Sequence, residues 1–260
     1  MRRSRFLQKI RAGKVARLCA LGHYLPYYPR TAAAAGFDAI WVDGEHKVFD
    51  PREVQAMIAH HHLADIDCLW RPPIREKAAL YRFLEDGASG LIIPHVESVD
   101  EARALVQAVR FPPLGNRGID GGGLDADYAL AGGKDYPEAA NRETVLLVQI
   151  ETPQALEQAE AIAAIKGVDG IFLGPGDMAL RLGCGTSPND PTMAKVQRRV
   201  ADAVAKVGKV WGCPVTNEED LRLTLAAKAG FVVHGSDARF VRQGLKDNGK
   251  AFAKLLGEAE

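Results

Sequence analysis

The chain has 260 residues, and its 33 lysines and arginines balance 33 aspartates and glutamates, so its formal net charge at pH 7 is zero. This balance gives no field that favours nucleic acid or an anionic membrane, and a small metabolite is the better expectation for a partner. No run approaches the roughly 18 apolar residues of a membrane span, and the N-terminal segment lacks a signal-peptide core, so we expect a cytoplasmic protein. Four cysteines without CxxC spacing favour reduced structural thiols.

Eight short apolar runs alternate with segments of helical spacing along the chain. The runs cover residues 15–21, 38–43, 66–71, 89–94, 145–151, 169–174, 209–215 and 231–235. Helical spacing of apolar residues is clearest in residues 51–62, 99–109, 152–165 and 218–230. Regular alternation of strand and helix predicts a parallel sheet, and this chain length is typical of a (β/α)8 barrel. We therefore predict an α/β protein with a single TIM-barrel domain over residues 1–260.

Residues that begin and end helices agree with this pattern. Asp50, Thr152 and Asn217 are suitable helix starts, and Gly36, Gly87, Gly167 and Gly230 are suitable C-caps. The glycine-rich stretch 112–143 is too long for an ordinary connection, which predicts a lid, a pocket wall or a subunit contact.

Two carboxylates follow apolar runs at the centre of the chain. Glu151 ends VLLVQIE, and Asp177 ends IFLGPGD one strand and helix later. The C-terminal ends of barrel strands converge on one face, so these side chains are expected to meet in space. Two hard oxygen ligands predict a site for magnesium or manganese rather than zinc.

Other strand ends also carry polar residues. They are Asp43, Glu45 and His46 after the second run, Arg71 at the end of the third, His95 after the fourth, and His234 in the eighth. Two prolines after Arg71 stop the strand, so its guanidinium should project from the barrel mouth, either to bind a carboxylate or enolate oxygen or to form an ordinary ion pair. His46 is placed to move a substrate proton, or is a capping or surface residue. Asp43 alone is also explained as a helix cap.

Two further motifs are weaker. Residues 174–177, GPGD, form a turn whose main-chain amides suit a carboxylate. The adjacent His60, His61 and His62 point in different directions from a helix end, so interaction with the helix C-terminus explains them better than a metal cluster does.

Taken together, seven segments resemble the class II (metal-dependent) pyruvate aldolases of the HpcH/HpaI family. They are WVDGEH, RPP, GASGLIIPHVES, FPPLGNRG, VQIET, GVDGIFLGPGDMALRLG and FVVHGSD, in the family's order. The resemblance implies a phosphoenolpyruvate/pyruvate-type barrel of the 4-hydroxy-2-oxoheptanedioate or 2-dehydro-3-deoxyglucarate aldolase type, which reversibly cleaves 4-hydroxy-2-oxo acids into pyruvate and an aldehyde. It also implies a divalent metal ion (Mg²⁺, Mn²⁺ or Co²⁺) and a homo-oligomer, a hexamer or a trimer.

The resemblance assigns roles in the pyruvate half of the site position by position. Glu151 and Asp177 become metal ligands, and Arg71 binds the keto oxygen and stabilises the enolate. Main-chain amides at Gly176 and Asp177 receive the pyruvate carboxylate, and Gln149 joins the substrate-binding residues. Metal and guanidinium would both place positive charge where the enolate oxygen becomes negative.

The acceptor half departs from the family pattern. The resemblance makes His46, oriented by Asp43, the residue that helps water to move the proton of the C4 hydroxyl. Glu85 stands where the family often has an aspartate that assists this histidine. The first loop, residues 22–30, usually has small polar residues, but this chain has His23, Tyr24, Tyr27 and Tyr28 there. These side chains should reshape the aldehyde side.

Other functions share some of these features. A Schiff-base aldolase needs a lysine inside the barrel, and none of the eight predicted strand ends provides one. Oxaloacetate decarboxylation, or addition of the enolate to an unusual acceptor as in macrophomate synthase, would use the same pyruvate half. The alternative that is not an enzyme is a barrel that binds a keto acid without catalysing a reaction.

Overall fold

The computed structural model describes residues 1–73, 75–130 and 133–257. The strands are β1 (Ala16–Leu21), β2 (Ala39–Asp43), β3 (Asp67–Arg71), β4 (Gly90–Ile93), β5 (Val145–Ile150), β6 (Gly170–Leu173), β7 (Val210–Val215) and β8 (Phe231–Ser236). The helices are α1 (Arg5–Arg11), α2 (Tyr28–Ala34), α3 (Pro51–Leu63), α4 (Lys77–Glu85), α5 (Val99–Val109), α6 (Tyr136–Glu143), α7 (Pro153–Glu157), α8 (Ala159–Ala163), α9 (Pro175–Leu182), α10 (Pro191–Lys206), α11 (Glu218–Ala226) and α12 (Asp237–Leu256), with a 3-10 turn at Leu124–Ala126.

All eight strands are parallel and pair in chain order, and β8 closes onto β1. The predicted (β/α)8 barrel is therefore confirmed, and each predicted strand ends within one residue of the observed one. The predicted helix 152–165 is instead two short helices, α7 and α8, that meet at Gln158. Gly230 does not end a helix: Lys228 is the left-handed residue after α11, and a Cβ at Gly230 would lie 2.9 Å from the Val210 side chain.

Side chains alternate between two apolar layers along each strand. The layer inside the barrel is formed by Phe6, Ala16, Leu18, Ala39, Leu69, Ile92, Val145, Leu147, Phe172, Phe231 and Val233. Phe6 of α1 closes the N-terminal end of the barrel, with its ring 5.3 Å from that of Phe231. At the other end of the barrel, the same faces carry Arg71 two residues beyond Leu69, Gln149 two beyond Leu147 and Asp43 four beyond Ala39. The alternation thus changes from apolar to charged residues at the barrel mouth.

The long stretch 112–143 follows α5 and precedes β5, so it lies at the N-terminal end of the strands. Its described part folds around buried Asp125, which accepts hydrogen bonds from Arg117 Nη2 (2.9 Å) and the Tyr136 hydroxyl (2.6 Å). Glu143, at the end of α6, accepts a hydrogen bond from the main-chain N–H of Ser4 (3.1 Å). These residues do not cover the mouth, so the lid and pocket-wall predictions are wrong for them. A subunit contact through this stretch stays a prediction.

The three adjacent histidines diverge as expected. His61 is fully buried with Nδ1 2.7 Å from the Met57 carbonyl oxygen, and burial lowers the pKa of His61 to about 4. His62 Nε2 lies 2.9 Å from the Gly87 carbonyl oxygen. Across the described ranges, no helix has the length and apolar character required to span a membrane.

Helix α12 differs from the other helices because only its first residue, Asp237, is buried. Its apolar residues face solvent, and Leu245, Phe252 and Leu255 are 70%, 67% and 83% exposed. In the structure of the single chain, this helix therefore presents an apolar face that its own barrel does not cover.

Candidate active site

Arg71 lies at the end of β3, and the groups around it fix its guanidinium. Nη2 lies 2.7 Å from Asp43 Oδ1 and Nη1 lies 2.8 Å from Glu45 Oε2. Nη1 also donates a longer hydrogen bond to Gln149 Oε1 (3.4 Å), and the guanidinium carbon is 4.5 Å from the centroid of the Trp41 ring. Contacts from β2, its following loop and β5 therefore hold this cation in one orientation. The ion-pair alternative for Arg71 is therefore confirmed, with Asp43 and Glu45 as partners, whereas binding of a substrate oxygen by its guanidinium stays a prediction.

Gly44 allows the loop after β2 to approach Arg71 closely. Its main-chain N–H donates to the Arg71 carbonyl oxygen (2.9 Å). A Cβ at this position would lie 2.6 Å from the Trp70 ring and 2.8 Å from that same carbonyl oxygen. Any larger residue would push the loop, and the acids it carries, away from the guanidinium.

The structure changes the partner expected for His46. Asp43 Oδ1 accepts hydrogen bonds from the main-chain N–H groups of Glu45 (3.1 Å) and His46 (3.2 Å), in addition to contacting Arg71. The carboxylate beside the imidazole is Glu45, whose Oε2 lies 3.6 Å from His46 Nε2. Asp43 therefore orients the loop and the guanidinium rather than the imidazole. The His46 side chain is 62% exposed and open to the mouth.

Glu151 directly follows β5 and is buried, with both carboxylate oxygens in contact with neighbours. Oε1 accepts a hydrogen bond from the main-chain N–H of His95 (2.8 Å), and Oε2 accepts one from Gln149 Nε2 (2.5 Å). Burial raises the pKa of Glu151, while the hydrogen bond and charge of His95 oppose that rise and the nearby Asp177 adds to it. A Cβ on Gly174 would lie 2.7 Å from Glu151 Oε2, so glycine at this position keeps space for the carboxylate.

His95 links two acids at the mouth. Its Nδ1 lies 2.7 Å from Glu151 Oε1 and its Nε2 lies 2.9 Å from Glu45 Oε1. The residue has φ 53°, in the left-handed region that costs energy for a side chain of this kind. The sequence shows His95 as a strand-end residue but indicates no particular role for it. Only the positions of Glu45 and Glu151, which are far apart in sequence, show why it is held this way.

Asp177 lies in the first turn of α9, beside the mouth. Its Oδ1 is 2.9 Å from Arg181 Nη1, and the side chain is 41% exposed. The N-cap of α9, Gly174, makes no side-chain hydrogen bond to the first turn, and no atom lies within 4 Å of a Cβ built on Gly176. Gly176 and Asp177 belong to the first turn of α9, where main-chain N–H groups have no acceptor within the helix, and such a helix N-terminus favours an anion.

Glu151 and Asp177 fit a divalent metal ion as a pair of hard oxygen ligands. Gly174, the N-cap of α9, lies against Glu151 Oε2, so the first turn of this helix, which carries Asp177, lies beside the Glu151 carboxylate. Among the residues that the structure describes, no group of three or more His, Cys, Asp or Glu residues is arranged to hold a metal ion, so this site offers two protein ligands and not three. Magnesium-type ions are often held by one or two carboxylates with water and substrate oxygens, so two ligands suffice for that class but not for a closed zinc site.

Glu85 and His234, which the sequence suggested as site residues, do not lie at the barrel mouth. Glu85 ends α4, and a Cβ on Gly123 would meet the Glu85 carbonyl oxygen at 2.4 Å, which places Glu85 beside the stretch 112–143 at the N-terminal end of the barrel. Burial raises its pKa and Arg117 opposes the rise. The expectation that Glu85 assists His46 is therefore wrong within a single chain. His234 has the same strand parity as Val232, which packs in the outer layer, and so faces the helices.

The closed parallel barrel with ionisable groups gathered at its mouth is the architecture of a (β/α)8-barrel enzyme. The sequence profile of the HpcH/HpaI aldolase/citrate lyase family matches residues 23–243. The chain belongs to this family, and its relatives include pyruvate aldolases, which are carbon–carbon lyases.

Three comparisons illustrate the relationship. The chain is 35% identical over 246 residues to a hydroxypyruvate/pyruvate aldolase of Sagittula stellata, covering 92% of this chain and 94% of the relative. It is 32% identical over 246 residues to a 4-hydroxy-2-oxo-heptane-1,7-dioate aldolase of Klebsiella pneumoniae, covering 92% and 90%. The crystal structure of an HpcH/HpaI aldolase from Desulfitobacterium hafniense superposes with a TM-score of 0.90 at 27% identity over 98% of both chains. Relatives with different names are almost equally similar, so identity does not determine the substrate.

Proposed function

We propose that this protein is a divalent-metal-dependent aldolase that reversibly cleaves 4-hydroxy-2-oxo acids to pyruvate and an aldehyde. The observation that carries the proposal is the arrangement of the pyruvate half. A guanidinium held by Asp43 and Glu45 shares the barrel mouth with two carboxylates, Glu151 directly after β5 and Asp177 in the first turn of α9. The family is typically dependent on a divalent metal ion, and Glu151 and Asp177 would hold Mg²⁺, Mn²⁺ or Co²⁺.

Each group of the pyruvate half has a part in the reaction. The amides of Gly176 and Asp177 receive the substrate carboxylate at the helix N-terminus. Arg71 donates hydrogen bonds to the keto oxygen, and Gln149 holds both the guanidinium and Glu151 in place. The metal ion, when bound, supplies Lewis-acid charge at the reacting carbonyl. Arg71 contributes fixed positive charge where the enolate oxygen becomes negative, without reorganisation during the reaction.

Proton transfer at the C4 hydroxyl belongs to the more exposed side of the mouth. We assign it to His46 acting through a water molecule, because its imidazole is accessible and a carboxylate, Glu45, lies beside it. His95 stays between Glu45 and Glu151, where it holds both acids.

The proposed function is tested with metal-stripped protein and a panel of 4-hydroxy-2-oxo acids plus oxaloacetate, with and without added Mg²⁺, Mn²⁺ or Co²⁺. Metal-restored release of pyruvate from the hydroxy-oxo acids is the expected result. Metal-restored decarboxylation of oxaloacetate alone would retain the metal site but replace the aldolase with a decarboxylase. Keto-acid binding without turnover under any condition would leave a non-catalytic binding protein.

We expect His46→Ala to slow aldol cleavage about 100-fold and oxaloacetate decarboxylation less than about threefold. Cleavage requires removal of a hydroxyl proton, whereas decarboxylation does not. Steady-state rates of both reactions on the same preparation measure the difference. His60→Ala is the control, because His60 lies in the last turn of α3, at the end of the barrel opposite to the mouth. Equal losses in both reactions would remove His46 from this role.

We also infer that the protein is a homo-oligomer in which α12 packs against a second copy. Its exposed apolar face, with Leu245, Phe252 and Leu255, needs cover, and another copy of the chain is the partner that is always present. Leu245→Asp combined with Phe252→Asp is expected to lower the molar mass measured by light scattering, whereas Gln243→Asp, on the opposite side of the helix, leaves it unchanged. A monomeric unaltered protein would contradict the inference.

A further inference from the structure

A further imidazole–carboxylate pair, separate from those of His46 and His95, lies at the mouth and has no role in the assignments above. His23 Nδ1 and Asp237 Oδ2 are 2.6 Å apart. The other carboxylate oxygen, Oδ1, accepts a hydrogen bond from the main-chain N–H of Gly22 (3.2 Å). Asp237 is only 4% exposed, whereas the His23 side chain is 60% exposed. A buried carboxylate therefore holds an imidazole that remains open to solvent.

The pair belongs to the catalytic face of the barrel. Gly22 and His23 follow β1, and Asp237 follows β8, so both lie beyond the C-terminal ends of neighbouring strands. A Cβ on Gly22 would lie 3.2 Å from Cγ of Lys47, which shows that the first loop packs against the loop carrying His46. In the strand order, β1 stands opposite β5, which leads to Glu151. His23 thus occupies the side of the mouth opposite the pyruvate half.

Several inward-facing positions near the mouth, on β1, after β6 and on β7, carry residues without long side chains. The inward-facing residues near the mouth on this part of the barrel include Ala20, Gly174 and Pro214, which are small. The side chains that line the acceptor side of the site therefore come from the loops after the strands, and the first loop contributes His23.

The hydrogen bond to Asp237 determines what the imidazole offers. With Nδ1–H donated to the carboxylate, Nε2 is left to accept a hydrogen bond in the neutral form or donate one in the charged form. The carboxylate beside the ring offsets any positive charge on it, so the pair suits a neutral hydroxyl better than a second carboxylate.

We propose that His23, positioned by Asp237, hydrogen-bonds to a hydroxyl group of the acceptor aldehyde and so makes the enzyme prefer hydroxyaldehydes. This role rests on the proposed aldolase function. Neither residue takes part in the reaction of pyruvate itself.

The test compares glycolaldehyde with propanal, in which a methyl group replaces the hydroxyl, as acceptors for pyruvate. We expect His23→Ala to lower kcat/KM for glycolaldehyde about tenfold, mainly through KM, and for propanal less than about twofold. His23→Gln, which retains a hydrogen-bonding side chain, is expected to recover much of the loss. Asp237→Asn is expected to give an intermediate loss, because it can still accept the Gly22 N–H but binds the imidazole less strongly. His60→Ala is the matched control.

Deuterium exchange at the pyruvate methyl group, measured without any aldehyde, separates the two proposals. Exchange close to the rate of the unaltered protein in His23→Ala, together with loss confined to glycolaldehyde, supports the acceptor role. Equal losses for glycolaldehyde and propanal, or a loss confined to an aldehydic acid such as glyoxylate, would overturn it. If the unaltered protein shows neither metal-dependent exchange nor addition, the aldolase proposal fails and the role of His23 fails with it.

Discussion

Glu151→Gln is expected to lower metal-dependent cleavage of 4-hydroxy-2-oxo acids by about a thousandfold or more, because it removes one of two proposed metal ligands and the charge that holds the ion. The substitution preserves side-chain volume in a site where Gly174 leaves little spare room. The amide oxygen can still accept the hydrogen bond from the His95 main chain. The fold should therefore persist, as measured by circular dichroism and thermal unfolding.

Two further variants sharpen this prediction. Asp177→Asn should cause a loss of similar size, and calorimetric titration with Mn²⁺ should show weakened binding in both variants. Glu157→Gln changes an exposed carboxylate on the nearby α7 and should leave metal affinity and activity unchanged. Normal metal binding by Glu151→Gln, or undiminished turnover, would remove this carboxylate from the metal site.

Arg71→Lys is expected to lower kcat for cleavage about 100-fold while the positive charge is retained. The guanidinium contacts Asp43, Glu45 and Gln149 at once, and a single ammonium group cannot reproduce this geometry while also donating to a keto oxygen. Deuterium exchange into pyruvate should fall in parallel, since Arg71 acts on the pyruvate half. Arg71→Ala is a less useful variant because it leaves two acids without their cation.

Arg110→Lys provides the matched control for Arg71. Arg110 is also buried and also binds several oxygens, among them the Thr144 carbonyl (2.8 Å) and Asp169 Oδ2 (2.6 Å), but it lies at the N-terminal end of the barrel. Its substitution should lower the melting temperature with little change in kcat. If Arg71→Lys likewise changed only the melting temperature, Arg71 would be a structural ion-pair residue and not part of the catalytic site.

The strands and helices of the barrel could be predicted closely from the sequence because each depends on a pattern of neighbouring residues. Each strand is a short apolar run and each helix a 3.6-residue pattern, and the N-caps Asp50, Thr152 and Asn217 were all identified correctly. The prediction failed where local pattern was insufficient. The run 152–165 has continuous helical spacing, yet the chain breaks at Gln158 to form α7 and α8.

The candidate site could be predicted only in part. Strand parity places Arg71 two residues beyond Leu69 and Gln149 two beyond Leu147, so both are directed inward once the apolar face is known. Glu85 lies away from His46 of its own chain, although its sequence context resembles that of an assisting acid, because it ends a helix that runs opposite to the strands. Helix ends and strand ends of the same type lie on opposite faces of the barrel.

The sequence by itself determined the fold class, the approximate limits of the strands and the residues that stand at their C-terminal ends, because these depend on periodicity and on caps within a few neighbouring residues. Tertiary structure alone decided which charged groups meet. Glu45 rather than Asp43 lies beside the His46 imidazole, His95 joins Glu45 to Glu151, and Asp237 holds His23. Most of these contacts depend on the closure and register of the barrel. Pairing of β8 with β1, for example, brings Asp237 to His23, which is 214 residues away in the sequence.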